Sequence, residues 1–118
     1  MAADQALAEL LEVSDEVTGA VVFDRDGTVR AATVDDDQAA DAAAIGAAML
    51  AHADRFRAEP AVQRVEAVTE EGSVFVVRER NRAIVAITER DPLRGLVYHD
   101  LRTCLRKSAQ RQRAKAIA

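Results

Sequence analysis

The spacing of hydrophobic residues divides the chain into helical and extended segments. In residues 2–12, Leu7, Leu10 and Leu11 recur at the spacing of one helix face. Helical spacing also covers residues 38–56 and 93–105. Runs of β-branched and apolar residues, which are typical of strands, occupy residues 17–33, 62–69, 73–78 and 83–88. The predicted order is therefore helix, two strands, helix, three strands, helix.

The last three strands are joined by connections so short that their neighbours must be antiparallel. Glu70-Glu71-Gly72 forms the first turn and Asn81 marks the second, whereas a parallel crossover needs a dozen residues or more. The strands at 73–78 and 83–88 are apolar on both faces and are predicted at the sheet centre, and 62–69 is predicted as an edge. This pattern predicts an α/β fold of the α+β type. One five-stranded antiparallel sheet carries the long helix on one face and the terminal helices on the other.

The long helix at 38–56 carries two apolar stripes, to which the pattern assigns different roles. A bulky stripe with helical spacing is predicted to lie on the sheet: Ala42, Ile45, Met49, His52 and Phe56. A neighbouring stripe has almost no large side chains: Ala39, Ala43, Gly46, Ala47 and Leu50. Such a surface lets another backbone come close and indicates a helix–helix contact between subunits. The alternative is a helix whose alanines reflect biased amino-acid usage.

Acidic residues and prolines also predict two helix starts and one helix end. Asp35, Asp36 and Asp37 are predicted to favour the amino end of the long helix. Pro60 is predicted to end that helical region. Asp91-Pro92 is predicted to open the last helix, with Asp as the cap and Pro at the first helical position. Its predicted apolar face comprises Leu93, Leu96, Val97, Leu101, Cys104 and Leu105.

The segment Val21-Val22-Phe23-Asp24-Arg25-Asp26-Gly27-Thr28 has two incompatible interpretations. It resembles the first motif of haloacid-dehalogenase-type phosphotransferases, in which Asp24 would be the nucleophile and Asp26 the acid/base, with a magnesium ion. The same residues suit a β-hairpin in which Asp24, Asp26 and Gly27 form the turn. The phosphotransferase needs a parallel sheet, and the antiparallel meander therefore favours the hairpin.

Composition and charge narrow the functional classes. The 118-residue chain is 49% hydrophobic and 31% charged, as expected for one globular domain. Residues 1–105 are predicted as the domain, and they hold 11 basic against 20 acidic residues, a net charge of −9. Residues 106–118 hold five basic residues and are predicted as a helix end or tail. The net negative charge of the predicted domain would repel a nucleic-acid backbone, and the tail has no aromatic residues for base stacking. Both features argue against nucleic-acid binding.

Candidate chemistry beyond the Asp24 segment is sparse. The single cysteine, Cys104, is expected to be a buried apolar side chain in a chain that suits a reducing cytoplasm. His52 has no second His or Cys at metal-ligand spacing. Nothing in the first residues resembles a secretion signal, and no run is long enough to span a bilayer. We therefore expect no cofactor, no metal and no membrane insertion.

The whole succession resembles the Roadblock/LC7 family over about residues 2–105. The residues that carry the resemblance are the hairpin at 19–27, the small-residue helix at 43–50, the hairpin at 70–77 and Leu93-Arg94-Gly95-Leu96. The resemblance implies a profilin-like fold and a homodimer. In that dimer the first strand of the meander pairs with its symmetry mate and the long helices lie side by side.

The resemblance also implies a non-catalytic, cytoplasmic binding module. Members of the family serve small Ras-like GTPases, either by stimulating hydrolysis or as scaffolds, and a sensor kinase complex is a further implied partner. Mapped onto this sequence, the implied dimer or partner interface joins the small-residue stripe to the edge-strand residues Val62, Arg64, Glu66 and Val68. The alternatives are a phosphatase that uses Asp24 and Asp26, and a purely structural scaffold.

Overall fold

The computed structural model describes residues 2–56 and 62–117, with side chains described for residues 3–56 and 62–108. Helices and strands follow in the predicted order. Their bounds are α1 (Ala2–Val13), β1 (Val17–Asp24), β2 (Val29–Ala32), α2 (Asp36–Phe56), β3 (Arg64–Val68), β4 (Ser73–Glu79), β5 (Arg82–Thr88) and α3 (Arg94–Ile117). Pro60, where the sequence predicts the end of a helical region, lies outside the described residues.

The five strands form one antiparallel sheet in the order β2-β1-β5-β4-β3. β5 is central, and its residues Ala83–Ala86 are all buried because helices cover both faces. β3 is an edge strand, as its polar pattern predicts, and β2 is the other edge. The antiparallel fold class is therefore confirmed.

Two hydrophobic clusters lie on opposite faces of the sheet. On one face, Leu7 and Leu10 of α1 and Val97 and Leu101 of α3 pack against inward residues such as Phe75. On the other face, the small residues of α2 pack against a second set of strand residues, namely Val21, Phe23, Val76, Ala83 and Val85. The two terminal helices thus share one face and α2 covers the other, which confirms the predicted layers.

The structure corrects the assignment of the two stripes on α2. The small-residue stripe lies on this chain's own sheet: Ala39, Ala43, Gly46 and Leu50 are buried, and Ala47 packs against the same cluster. The bulky stripe is divided: Ala42 and Met49 are half-buried and pack against the rim of this cluster, whereas Ile45 is 55% and Phe56 90% exposed. The physical reason is that Phe23 and Val85 already fill the space under the helix. A Cβ atom added at Gly46 would lie 3.0 Å from Cζ of Phe23.

Two predicted helix boundaries also change. α2 begins at Asp36, with Asp35 as the cap: its side chain accepts a hydrogen bond from the Gln38 backbone N–H at 3.0 Å. α3 begins at Arg94 rather than Pro92, because Asp91 has φ of +55° and lies in a turn. Leu93, predicted in the apolar face of this helix, therefore precedes it and is exposed; Leu96, predicted in the same face, lies within the helix and is also exposed. The α3 backbone is helical as far as Ile117, across most of the predicted basic tail.

Candidate partner-binding surface

The outer edge of β3 presents backbone groups that the sheet does not use. Hydrogen bonds from Arg78 N to Gln63 O (2.7 Å) and from Thr69 N to Gly72 O (2.8 Å) flank the β3–β4 ladder. The register between them runs from Arg64↔Val77 to Val68↔Ser73 without a shift. Bonded and non-bonded pairs alternate in an antiparallel ladder. The odd-numbered residues therefore bond to β4, and Arg64, Glu66 and Val68 direct their N–H and C=O groups outward.

Val62 lies just before this edge, and its backbone is already occupied. Its N–H donates to Oδ1 of Asp54 at 3.1 Å, and its carbonyl accepts a hydrogen bond from Arg78 at 2.5 Å. Asp54 also pairs with the Arg78 guanidinium at 2.8 Å. These bonds lower the pKa of Asp54, chiefly through the Arg78 hydrogen bond and then the Val62 N–H. This clamp ties the end of α2 to the start of β3 and, among the described residues, leaves Arg64, Glu66 and Val68 as the free edge.

The side chains of β3 are divided between the two faces of the sheet. Glu66 accepts hydrogen bonds from Arg94 Nε at 2.8 and 2.9 Å, and the Arg64 guanidinium lies 4.7 Å from the centre of the Tyr98 ring. Both contacts reach α3, whereas Val65 packs against the cluster under α2. Val68 is 65% exposed at the end of the strand. The edge strand thus contacts helices on both faces of the sheet.

An exposed apolar stripe of α2 adjoins this edge. Ile45, His52 and Phe56 are exposed and share one flank of the helix with half-buried Met49. The clamp at Asp54 places the last turn of that helix next to β3. On the same side of the sheet, Ile87 of β5 is 45% exposed although its strand is central. An apolar flank beside a strand with unused hydrogen-bonding groups is the pattern of an interface.

The opposite edge of the sheet is shaped differently. The β1–β2 register shifts between Val22 and Phe23, because the chain at Arg30 contains one additional residue. This bulge interrupts the regular spacing of outward groups along β2, and such irregularity protects a sheet edge from pairing. Of the two edges, β3 is therefore the one with a regular row of outward backbone groups.

The residues proposed as catalytic in the phosphotransferase interpretation lie in a β-turn. Gly27 N–H donates to Asp24 O at 2.8 Å, Gly27 has φ of +92°, and Asp26 Oδ1 accepts from Thr28 N–H at 2.9 Å. This backbone hydrogen bond, followed by one with the Thr28 side chain, lowers the pKa of Asp26. The Asp24 carboxylate pairs with both Arg30 and Arg82. A carboxylate held by two guanidinium groups is a weak nucleophile.

The β3–β4 turn shows why Gly72 is glycine. A Cβ atom at this position would lie 2.1 Å from the Thr88 carbonyl oxygen of the neighbouring strand. The Thr69 hydroxyl accepts the Gly72 N–H at 3.1 Å and closes the turn. The sequence singles out Gly72 as a turn residue, and the structure adds that the close approach of β5 permits no side chain there.

Other candidate chemistry is limited in the part of the chain that the structure describes. Among the side chains described, in residues 3–56 and 62–108, no three of His, Cys, Asp or Glu are grouped to hold a metal ion. Cys104 is buried, and desolvation raises its thiol pKa to about 11, which makes it a poor nucleophile. None of the described helices is long and apolar enough to span a bilayer.

The family model for the Roadblock/LC7 domain matches residues 3–89, a range that extends from α1 through β5 and includes the β3 edge. The chain belongs to the Roadblock/LC7 family. The matched region ends before α3. No curated protein matches the sequence.

Solved structures show the same fold for this Roadblock/LC7 domain. A Roadblock/LC7 domain from Streptomyces avermitilis superposes with a TM-score of 0.83 at 17% identity, covering 92% of this chain and 96% of that one. MglB from Myxococcus xanthus gives 0.71 at 11% identity, with 96% and 93% covered. Profilin IA from Acanthamoeba castellanii gives 0.54 at 15% identity, with 96% and 98% covered. The fold is profilin-like, as the resemblance implied.

The structure places the predicted interface residues in separate parts of the fold. Arg64, Glu66 and Val68 lie on the free edge and Val62 in the clamp, whereas the small-residue stripe of α2 lies inside the fold. The sequence pattern does not point to exposed Ile45 and Phe56 as interface residues, because large apolar side chains on a helix predict burial. The one available signal was His52, a polar residue in the middle of the supposed buried face.

Proposed function

We propose that this Roadblock/LC7 domain is a non-catalytic homodimeric module that binds a small Ras-like GTPase and regulates or scaffolds it in a signalling complex. The observation that carries the proposal is the free, regular β3 edge beside the exposed apolar stripe of α2. Family membership and the likeness to MglB support it.

In the proposed dimer, β3 pairs antiparallel with β3 of a second copy. A two-fold axis that passes near Glu66 sets Arg64 of one copy opposite Val68 of the other, so the outward N–H and C=O groups find partners. Because α2 lies on one face beside this edge, the same axis brings the two stripes that contain Ile45 and Phe56 together. Strand addition and apolar burial would then act at one continuous interface.

The proposed action on the GTPase is to position the partner's own catalytic groups. The sequence has no Gly-Lys-Ser type of nucleotide loop, and the Asp24 carboxylate is engaged by two arginines. A dimer offers a pre-formed surface to which the switch segments of a GTPase, whose conformation depends on the nucleotide, bind with different affinity in the two states.

The test is a titration of the purified protein with each Ras-like GTPase of its source organism, loaded with GDP or with a non-hydrolysable GTP analogue. We expect at least one GTPase to bind in a state-dependent manner, with affinities that differ by about tenfold or more between the two states. Single-turnover GTP hydrolysis then separates an activator, which raises the rate, from a scaffold, which leaves it unchanged. Absence of binding in both states across the set would refute the proposal.

A further inference from the structure

The β1–β2 and β4–β5 turns meet at one end of the sheet, beyond the last paired residues of β1 and β5. The Arg25 backbone N–H in the first turn donates to the Asn81 carbonyl oxygen in the second at 2.9 Å. The last turn of α2 reaches the same end, because Asp54 is clamped to Arg78 near the end of β4. Two turns and the end of a helix therefore lie together there.

Helix α3 also reaches this end of the sheet. Arg82 Nη1 donates to the Ser108 hydroxyl at 2.7 Å, and Arg106 Nε lies 3.0 Å from Oε1 of Glu79. The backbone stays helical over residues 109–117, which extends α3 by about 13 Å past its contact with the sheet. This extension contains no acidic residue and three basic ones: Arg111, Arg113 and Lys115.

Ion pairs at this end leave several arginines unpaired. Three carboxylates are paired with four arginines: Asp24 with Arg30 and Arg82, Asp54 with Arg78, and Glu79 with Arg106. Asp26 is exposed and bonded to Thr28 within its own turn. Arg25, Arg55 and Arg80 are exposed and have no ion-pair partner among the described residues. We call these three arginines and residues 109–117 the basic end.

The other end of the sheet has the opposite charge. It comprises the connection that enters β1, the β3–β4 turn and the segment that follows β5, since Val17 pairs with Thr88 and Thr88 with Ser73. These connections contain one basic residue, Arg90. Their acidic residues, which we call the acidic end, have no ion-pair partner among the described residues: Asp15, Glu16, Glu70, Glu71, Glu89 and Asp91.

The two ends are far enough apart to act as separate charges. The eight residues of β1 span about 26 Å. The Debye length is about 8 Å at physiological ionic strength, so a charged partner at one end is screened from the other. The formal net charge of −4 for the whole chain thus conceals a charge separation along the strands. A surface complementary to the basic end is present on every other copy of this chain.

We propose that the basic end of one copy binds the acidic end of a second copy, head to tail. Arg25 and Arg80 donate to carboxylates of the β3–β4 turn, where Glu70 and Glu71 are both exposed. Guanidinium–carboxylate pairs form charge-assisted hydrogen bonds, and two surfaces of opposite charge also steer the encounter. Because the two surfaces differ, each added copy leaves one end of each kind free, so the copies assemble into open rows.

This contact goes beyond the proposed function and does not depend on it, since the outward backbone groups of β3 take no part. Antiparallel pairing of β3 with a second β3 would set the basic end of one copy beside the acidic end of its mate. Two such dimers in a row would then make two head-to-tail contacts instead of one, and they would associate more tightly than single copies.

The test is sedimentation velocity of the full chain over a range of protein concentrations, in about 20 mM and about 0.5 M NaCl. We expect species larger than a dimer that grow with protein concentration in low salt, and nothing larger than a dimer in high salt, where the charged ends are screened. Arg80→Glu should weaken the low-salt association about fivefold or more. Arg102→Glu makes the same charge change at an exposed position in the middle of α3 and should leave it unchanged.

Mixing two charge-reversed variants provides the decisive measurement. Arg25→Glu combined with Arg80→Glu makes the basic end acidic, and Glu70→Arg combined with Glu71→Arg makes the acidic end basic. Each variant alone should form nothing larger than a dimer in low salt, whereas equal amounts of both should associate, because each supplies the charge that the other lacks. Recovery on mixing also shows that both variants are folded.

Three outcomes would overturn the proposal: a wild type no larger than a dimer in low salt, equal effects of Arg80→Glu and Arg102→Glu, or a mixture that does not associate. Binding of the chain to duplex DNA or to phosphatidylserine vesicles without self-association would assign the basic end to another anion, which also overturns it. A wild type that is monomeric in high salt contradicts only the proposed β3 dimer, so the two failures are distinguishable.

Discussion

At the scale of single residues, Gly46 is a point of close approach between α2 and the sheet. A Cβ atom there would lie 3.0 Å from Cζ of Phe23 and 3.2 Å from Cβ of Val85. Phe23 and Val85 are both buried in the cluster under α2, where close packing restricts their movement. Gly46 therefore allows α2 to pack closely on the sheet. The ring of Phe23 occupies the space that a side chain at this position would fill.

Replacing Gly46 with Ala should destabilise the protein, and Gly95→Ala is the matched control. Both changes remove a glycine from a helix, which alone is worth about 0.5–1 kcal/mol in favour of Ala. At Gly46 the added methyl meets Phe23 and Val85, and overpacking of this kind costs about 1–3 kcal/mol. Nothing lies within 4 Å of a Cβ atom at Gly95. Chemical denaturation should show a lower unfolding free energy for Gly46→Ala than for Gly95→Ala; equal values would contradict the packing argument.

At the scale of elements, the sequence predicts which segments are helices and strands but not which side of α2 is buried. Strand alternation and short turns define the meander, because those signals are local. The two stripes of α2 are close neighbours on the helix, and the choice between them depends on Phe23 and Val85, which are distant in sequence. The start of α3 is not readable from the sequence for a similar reason: the Leu93 N–H is satisfied by Glu16, which lies in the connection between α1 and β1.

The clamp between α2 and β3 should make stability depend on pH. Because hydrogen bonds from Arg78 and the Val62 N–H lower the folded-state pKa of Asp54, its ionised form stabilises the fold above the unfolded pKa of about 3.9. This contribution is lost as the pH falls through the lower folded-state value. Asp54→Ala should therefore lower Tm at pH 7, with the deficit shrinking below about pH 4. Asp41→Ala, at an exposed position of the same helix, is the control, and a deficit independent of pH would contradict the ion pair.

At the scale of the whole molecule, the sheet has two edges and only one is regular. The bulge near Arg30 interrupts β2, while β3 keeps an unbroken register up to its last residue. Apolar exposure follows the same asymmetry, since Phe56 and Ile45 lie on the helix whose last turn is clamped to β3. An edge with three outward residues is too short to hold two copies by hydrogen bonds alone. The stripe on α2 would have to supply most of the buried apolar area.

This asymmetry predicts that two separate changes convert the proposed dimer to monomer. Val68→Pro removes an outward N–H that β4 does not use, so the fold should survive while β3 self-pairing is blocked. Val68→Thr keeps that N–H and is the matched control. Phe56→Glu should weaken association by about tenfold or more, because it sets a carboxylate in an apolar contact, whereas Leu11→Glu, on the opposite side of the sheet, should not. Sedimentation velocity measures each outcome. A monomeric wild type, or dimers that persist in both Val68→Pro and Phe56→Glu, would exclude the β3–α2 surface as the interface.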